Sequence, residues 1–187
     1  MNDIYVFDFD NTIYNGDSTL DFYRYCLKMN KRLFVYLPKQ ILGLIRYRLG
    51  NINKEEFKEL FFSFLIDLHD IELIVDDFWK EHIHKIKDWY LVRNKEHDII
   101  ISASPEFLLT PISKYIDVQD IIATVIDNRT GKFYSKNCYG TEKVIRLKEN
   151  YSGCNIKEFY SDSRSDEPLA KLAEKAFFVK KELIHEW

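Results

Sequence analysis

Asp8-Phe9-Asp10-Asn11-Thr12 closes an apolar run, Ile4-Tyr5-Val6-Phe7, and decides how the rest of the chain is read. The run has the composition of a strand buried on both faces, as in a parallel sheet. Two carboxylates two residues apart at a strand end project to one side. Where the chain then turns, backbone N–H groups become free to bind an anion. That arrangement suits a nucleophilic aspartate, an acid–base aspartate, a divalent cation and a phosphate. The plainer alternative is a strand ending in a polar turn, where Asp and Asn are common anyway.

Three later segments extend the pattern. Asp98 leads Ile99-Ile100-Ile101 to Ser102, and Glu158-Phe159-Tyr160 ends in Ser161-Asp162-Ser163-Arg164-Ser165-Asp166. Between them lies Gly140-Thr141-Glu142-Lys143. Each apolar strand delivers polar residues at its C-terminal end, where open α/β sheets bind ligands. Taken singly, each has a bland reading. Ser102 is a turn residue, and Ser104 before Pro105 is expected to cap the next helix. Lys143 is a solvated helix lysine, Asp162 a loop acid and Asp166 an acid at a helix start. The order along the chain, acid pair, hydroxyl, lysine, acid pair, favours chemistry.

This order of motifs resembles the haloacid dehalogenase-like superfamily of phosphohydrolases over essentially the whole chain. The resemblance implies an α/β fold, a Rossmann-like doubly wound parallel sheet core with an inserted helical cap. It also implies that Asp8 is the nucleophile, Asp10 the general acid and base, and Lys143 the group that steadies the phosphoryl charge. Thr12 would shape the loop, while Ser102 and the Asn11 backbone N–H would hold the transferring oxygens. Mg2+ would be bound by Asp8, Asp10 through its carbonyl, Asp162 and Asp166. The chemistry is coherent in its own right, since phosphoryl transfer is chiefly positioning and charge stabilisation. Mg2+ prefers oxygen ligands and keeps several waters. An aspartyl-phosphate intermediate splits one difficult step into two. Asp10 needs a raised pKa to protonate the leaving oxygen, which neighbouring carboxylates encourage.

The interval from Thr12 to Asp98 far exceeds the roughly 30 residues of a direct strand–helix–strand unit. It reads as helical. Asp17-Ser18 starts a helix toward Met29, Asn53 with Glu56 forms a capping box for Lys54 to Leu65, and a longer helix runs from Asp70 or Ile71 to about Tyr90. The expected division is a catalytic core of residues 1–12 and 97–187 and a helical cap of 13–96. A cap of this kind excludes water and selects the leaving group. In the core, Ile121 to Tyr134 is expected to form a hairpin turning at Asp127-Asn128-Arg129-Thr130-Gly131, and Ala176 to Val179 a last strand.

Charge is segregated within the cap. From Phe22 to Lys54 there is no acid but eight of the chain's 27 basic residues, leaving 19 bases against 30 acids elsewhere. The stretch also carries Leu33-Phe34-Val35-Tyr36-Leu37 and Ile41-Leu42-Gly43-Leu44-Ile45. Pro38, Lys39 and Arg46 interrupt it, so it falls short of the usual spanning run of about 18 apolar residues. One reading is a helix pair that packs its apolar face on the cap and shows its bases to water. The other is peripheral contact of residues 22–54 with an anionic membrane.

Phosphoserine phosphatases share the helical cap, and Asp17 stands about where they carry a substrate-binding acid. Their Ser-Gly-Gly is Ser102-Ala103-Ser104 here, and no arginine lies between Lys54 and Leu65. Cys138-Tyr139-Gly140-Thr141-Glu142-Lys143, Tyr160-Ser161-Asp162-Ser163 and Asp166-Glu167-Pro168-Leu169 look more like the phosphatidylglycerophosphate phosphatase branch. The expected substrate is thus a small phosphorylated molecule, a phospholipid or a soluble metabolite, with no nucleic-acid partner. Three cysteines without metal spacing and no secretory leader fit a cytoplasmic protein, or one peripheral at the inner membrane face. The rival classes are a phospho-receiver domain, which lacks a large helical insert after its first strand, and a non-catalytic membrane- or protein-binding module.

Overall fold

The computed structural model describes residues 3–93 and 96–187. Residues 1–2 of the expected core and 94–95 of the expected cap lie outside them. In chain order the strands are β1 (Asp3–Phe7), β2 (Asp98–Pro105), β3 (Asp120–Thr124), β4 (Asn155–Ser161), β5 (Lys175–Lys180) and β6 (Leu183–Glu186). The helices are α1 (Ser18–Met29), α2 (Leu37–Arg48), α3 (Lys54–Phe62), α4 (Ile71–His82), α5 (Asp88–Leu91), α6 (Glu106–Leu109), α7 (Thr141–Asn150) and α8 (Glu167–Ala170). The strands form one sheet in the order β3-β2-β1-β4-β5-β6. All pairs are parallel except β5 with β6.

Strand alternation explains why the sheet is covered on both faces. Ile4, Val6, Ile99, Ile101 and Phe159 pack with Leu147 of α7 and Leu169 of α8. Phe7, Ile100 and Tyr160 point the other way, into a cluster that includes Phe22, Trp79 and Tyr90 of the helical insert. The chain leaves central β1 for β2 and β3 on one side, then returns to β4 on the other. That reversal opens a crevice at the C-terminal ends of β1 and β4, between Asp8 and Asp162.

The insert joins the sheet through specific contacts. Asp17 caps α1 by accepting the Leu20 N–H, and the Asn53–Glu56 capping box is present on α3. Beyond Phe62 the backbone tightens into a 3-10 helix over Ser63–Asp67, so α3 stops short of the expected Leu65. The expected long helix to Tyr90 also ends early, at His82. Tyr14 pairs with Ile86, and Asn15 and Lys87 exchange backbone hydrogen bonds with Lys85 and Ile13. The backbone tightens into a 3-10 helix over Ile83–Lys85, and those tertiary bonds accompany an extended Ile86–Lys87 before α5 begins.

Helix α2 presents an unusual inner face. Gly43 approaches the Leu60 side chain so closely that a Cβ would sit 3.0 Å from it. Gln40 is buried, accepts the Tyr23 hydroxyl and donates to the Phe61 carbonyl at 2.8 Å. Small and polar residues thus make the contact, and Ile41, Leu42, Leu44, Ile45 and Leu49 remain exposed. The preceding 3-10 helix, Lys31–Tyr36, adds exposed Phe34 and Val35, the latter 71% accessible. Leu33 is buried and Tyr36 and Leu37 pack on the core cluster, so the stretch buries one part of its apolar surface and leaves the other exposed. Among the described residues no helix is long and apolar enough to cross a membrane.

Two core expectations change. The hairpin is reduced to β3 and one antiparallel bridge, Ile126 with Phe133, closed by the Asp127–Gly131 turn. Gly131 has φ +74°, and a Cβ there would lie 2.5 Å from that of Phe62. Ala176–Val179 falls within β5 but is not the last strand, because the chain turns at Lys181 (φ +56°) and adds β6.

Candidate active site

The ladder of β1 continues one residue past the strand, with the Asp8 N–H donating to the Tyr160 carbonyl at 2.9 Å. The chain then coils tightly: the Thr12, Ile13 and Tyr14 N–H groups all donate to the Phe9 carbonyl. Asn11 takes a left-handed conformation, φ +57°, which asparagine tolerates better than most residues. Its N–H donates to the Gly16 carbonyl at 2.8 Å, so it is not free to hold a phosphoryl oxygen as expected. Thr12 is buried beneath the loop. Its hydroxyl donates to Asp8 Oδ2 at 3.2 Å and accepts the Asp162 N–H at 3.0 Å, tying the β1 and β4 ends together.

Lys143 comes from the first turn of α7 and is buried between two carboxylates. Its Nζ lies 2.6 Å from Asp8 Oδ1 and 2.7 Å from Asp166 Oδ2. Burial alone would push its pKa down, but the two carboxylates outweigh that and the ammonium is held well above the usual lysine range. Asp8 is raised by burial and by Asp166, against the pull of Lys143. Asp162, half-buried at the end of β4, is pushed up to about 6 by burial and then by Asp8.

Asp10 faces a different neighbourhood. One carboxylate oxygen accepts the Ser18 N–H at 2.6 Å, and the other accepts the Ser104 hydroxyl. Burial and the nearby Asp17 carboxylate push its pKa up to about 7. A carboxyl near 7 is suited to giving and taking a proton at neutral pH. Ser104 is not the helix cap anticipated for it, because β2 runs on through Pro105 and α6 begins at Glu106. A residue before proline favours extended backbone, which leaves the Ser104 hydroxyl to join Asp10 and Thr19. Ser102 is buried and accepts the Ser104 N–H at 3.1 Å, so its own O–H remains available as a donor.

One cavity of about 650 Å3 collects these groups. Asp8, Asp10, Asn11, Asp17, Ser102, Lys143, Asp162 and Asp166 all line it. Of the residues expected in the site, Thr12 alone stays behind the wall. The opposite wall comes from the insert and is largely apolar, with Leu20, Leu37, Ile41, Leu44, Phe57 and Phe61. Lys54 and Lys58 on α3 also face the cavity. Their i,i+4 spacing was a readable sign of a shared helix face, but nothing local says what that face meets.

The donor set fits a hard divalent cation. Three mutually repelling carboxylates, Asp8, Asp162 and Asp166, surround a single ammonium. Asp166 Oδ1 is buried and has no hydrogen-bond partner among the described residues. The Asp10 carboxylate is turned to Ser18 and Ser104, so any ligation by Asp10 would pass through its main-chain carbonyl. Among the described residues no three His, Cys, Asp or Glu side chains form a closed metal cage. An ion that keeps several waters needs none.

The model of the haloacid dehalogenase-like hydrolases matches residues 5–171. The chain belongs to that family. It is 24% identical over 209 aligned residues to a histidinol-phosphatase from Neisseria meningitidis serogroup C (strain 8013), covering 92% of this chain and 87% of that protein. Among solved structures, a protein of unknown function from Bordetella pertussis Tohama I superposes with a TM-score of 0.74 at 20% identity, over 94% of this chain and 89% of that one. A phosphoserine phosphohydrolase-like protein from Francisella tularensis subsp. tularensis SCHU S4 gives a TM-score of 0.58 at 17% identity, over 97% and 90%. The family match and the histidinol-phosphatase relative support a phosphatase among the hydrolases of this family, and the two solved structures share its fold.

Proposed function

We propose that this chain is a Mg2+-dependent phosphomonoester phosphatase whose substrate carries an apolar leaving group, a phospholipid monoester being the leading candidate. The observation that carries this reading is the cavity that joins the Asp8–Asp10–Lys143 cluster to the apolar wall of α1, α2 and α3. Asp8 attacks phosphorus, and the bond to the ester oxygen breaks as Asp10 gives that oxygen its proton. An alcohol and an aspartyl-phosphate result. Water then attacks the same phosphorus while Asp10 takes its proton, and the Asp8–phosphorus bond breaks to release inorganic phosphate. Lys143 orients Asp8 and offsets charge in both steps, and Ser102 donates to a phosphoryl oxygen.

Asp8, Asp162, Asp166 and the Asp10 carbonyl would hold Mg2+, which when bound neutralises charge so that a dianionic phosphate can approach a carboxylate. The exposed apolar and basic surface of residues 31–49 would rest on an anionic membrane face, on the cytoplasmic side, beside the mouth of the cavity. A soluble amine-bearing phosphate is the second reading. It is favoured by Asp17 in the cavity wall, and by the histidinol-phosphatase and phosphoserine phosphohydrolase-like relatives.

Phosphate release with Mg2+ tests this across phosphatidylglycerophosphate in micelles, phosphoserine, histidinol phosphate, sugar phosphates and an aryl phosphate. Preference for the lipid is the expected result. Preference for an amine-bearing phosphate would establish the second reading, and no release from any ester would refute the catalytic assignment.

A further inference from the structure

We infer that Lys54 and Lys58 form a second anion site in the cavity, which selects phosphomonoesters whose leaving group itself carries a negative charge. The inference rests on the phosphatase reading and sharpens it. Lys143 is already committed to Asp8 and Asp166. Lys54 and Lys58 make no ion pair among the described residues, although both face the cavity. Their spacing on α3 puts the two ammonium groups on one side of the helix.

Lys58 is half-buried on the inner side of α3. Its Nζ donates to the Ala103 carbonyl and to Asn137 Oδ1, each at 2.8 Å. An ammonium has three protons, so one is left for the cavity. Both partners are neutral, and the nearest acids, Asp10 and Asp17, act on it only through space. Lys54 sits over the Tyr139 ring, 3.2 Å from its centroid, and is half-buried. Two desolvated cations with neutral partners are costly unless a bound anion compensates them. Burial disfavours both charges, and repulsion adds to it, from Lys54 at Lys58 and from Lys143 at Lys54.

The position of Lys58 says which part of the substrate it meets. It bonds to the carbonyl of Ala103, between Ser102 and Ser104, and lies on the Asp10 side of the cavity. Asp10 is the proton donor to the leaving oxygen, so Lys58 stands beside the leaving group. A leaving group with a phosphodiester or carboxylate near that oxygen would be drawn in, and one with an ammonium would be repelled. A lipid and a soluble acid could both supply such an anion.

The full chain with Mg2+ is assayed on four esters: short-chain phosphatidylglycerophosphate, phosphoglycerate, phosphocholine and nitrophenyl phosphate. Wild type is expected to favour at least one anion-bearing ester over phosphocholine by roughly tenfold or more in kcat/KM, and which one identifies the source of the anion. Lys58→Gln, which keeps donor N–H groups but removes the charge, should erase at least about tenfold of that ratio, chiefly through KM. Lys58→Arg should restore most of it. Lys54→Gln, which removes no hydrogen bond described above, should lower the ratio in the same direction and guards against misfolding of the first variant. Equal loss on all four esters would make Lys58 a strut between α3 and β2 and overturn the inference, as would phosphocholine turned over as well as the anion-bearing esters. No hydrolysis of any ester, nitrophenyl phosphate included, would overturn the phosphatase reading and the second site with it.

Discussion

The crevice at the sheet end and the outer face of α2 invert each other. At the crevice, Asp8, Ser102, Lys143 and Asp166 are charged or polar and buried. On α2 and the turn before it, Val35, Ile41, Leu42 and Leu49 are apolar and more than half exposed. Ordinary folding favours neither arrangement, since buried charge costs desolvation and clustered exposed hydrocarbon invites association. The crevice is held by its own partners, the Lys143 ion pairs and the Thr12 bridge. The α2 face has no such compensation within the chain. The difference teaches that the chain spends its internal pairing on the charged crevice and leaves the hydrocarbon of α2 to solvent.

The largest way to break the comparison is at the nucleophile. Asp8→Asn should reduce phosphate release by at least roughly a thousandfold while circular dichroism and Tm stay near wild type, because the amide keeps the shape and loses the nucleophile. Retained turnover in the purified variant would remove Asp8 from its role. Asp162→Ala comes next, with the Mg2+ concentration for half-maximal rate rising about 10–100-fold. Chelation should silence the wild type, and an unchanged Mg2+ titration in the variant would contradict ligation by Asp162.

The α2 face gives an intermediate effect. Leu42→Asp with Leu49→Asp should weaken binding to anionic vesicles by about tenfold, with Tm unchanged because both side chains are exposed and neither lines the cavity. Wild-type binding should fall as salt rises, and equal binding to neutral vesicles would contradict the electrostatic part. The smallest effect is in pH. Asp10 carries its proton more firmly in the fold than in the unfolded chain, with its pKa raised from 3.8 to about 7. Its contribution to stability is complete below about 4 and is lost as pH rises through about 7. Asp10→Asn should therefore raise stability at pH 8 by on the order of 1 kcal/mol and by less at pH 5, read from denaturant midpoints. In wild type the rate on alkyl phosphates should decline severalfold above pH 7, whereas an aryl phosphate, whose leaving group needs no proton, should hold its rate.

Much of the crevice was legible because it is written locally. Strands of period two end in polar residues, and the sheet order puts those ends side by side. The capping residues Asp17 and Asn53 were readable for the same reason. What escaped depends on partners far along the chain. Ser104 looks like a helix cap until Pro105 is seen to extend β2, and only the fold brings it to Asp10. The break after His82 accompanies bonds between residues 13–15 and 85–87, which no helical periodicity reports. Strand β6 has every residue exposed, so it carries no alternation to detect. Lys54 and Lys58 were visible as bases but not as cavity residues, since α3 acquires its facing only by docking on the core.

That docking gives a small residue an outsized say. Gly131 touches Phe62, the final residue of the helix that carries both lysines, and it does so with no side chain at all. It acts as a shim of zero thickness between insert and core. A Cβ at Gly131 would press on the backbone of Phe62 as well as its side chain, from a turn whose positive φ already suits glycine, so Gly131→Ala would have to shift either the turn or this end of α3. Because Phe62 lines the cavity, the seating of the insert reaches the site from a turn that is not part of its lining.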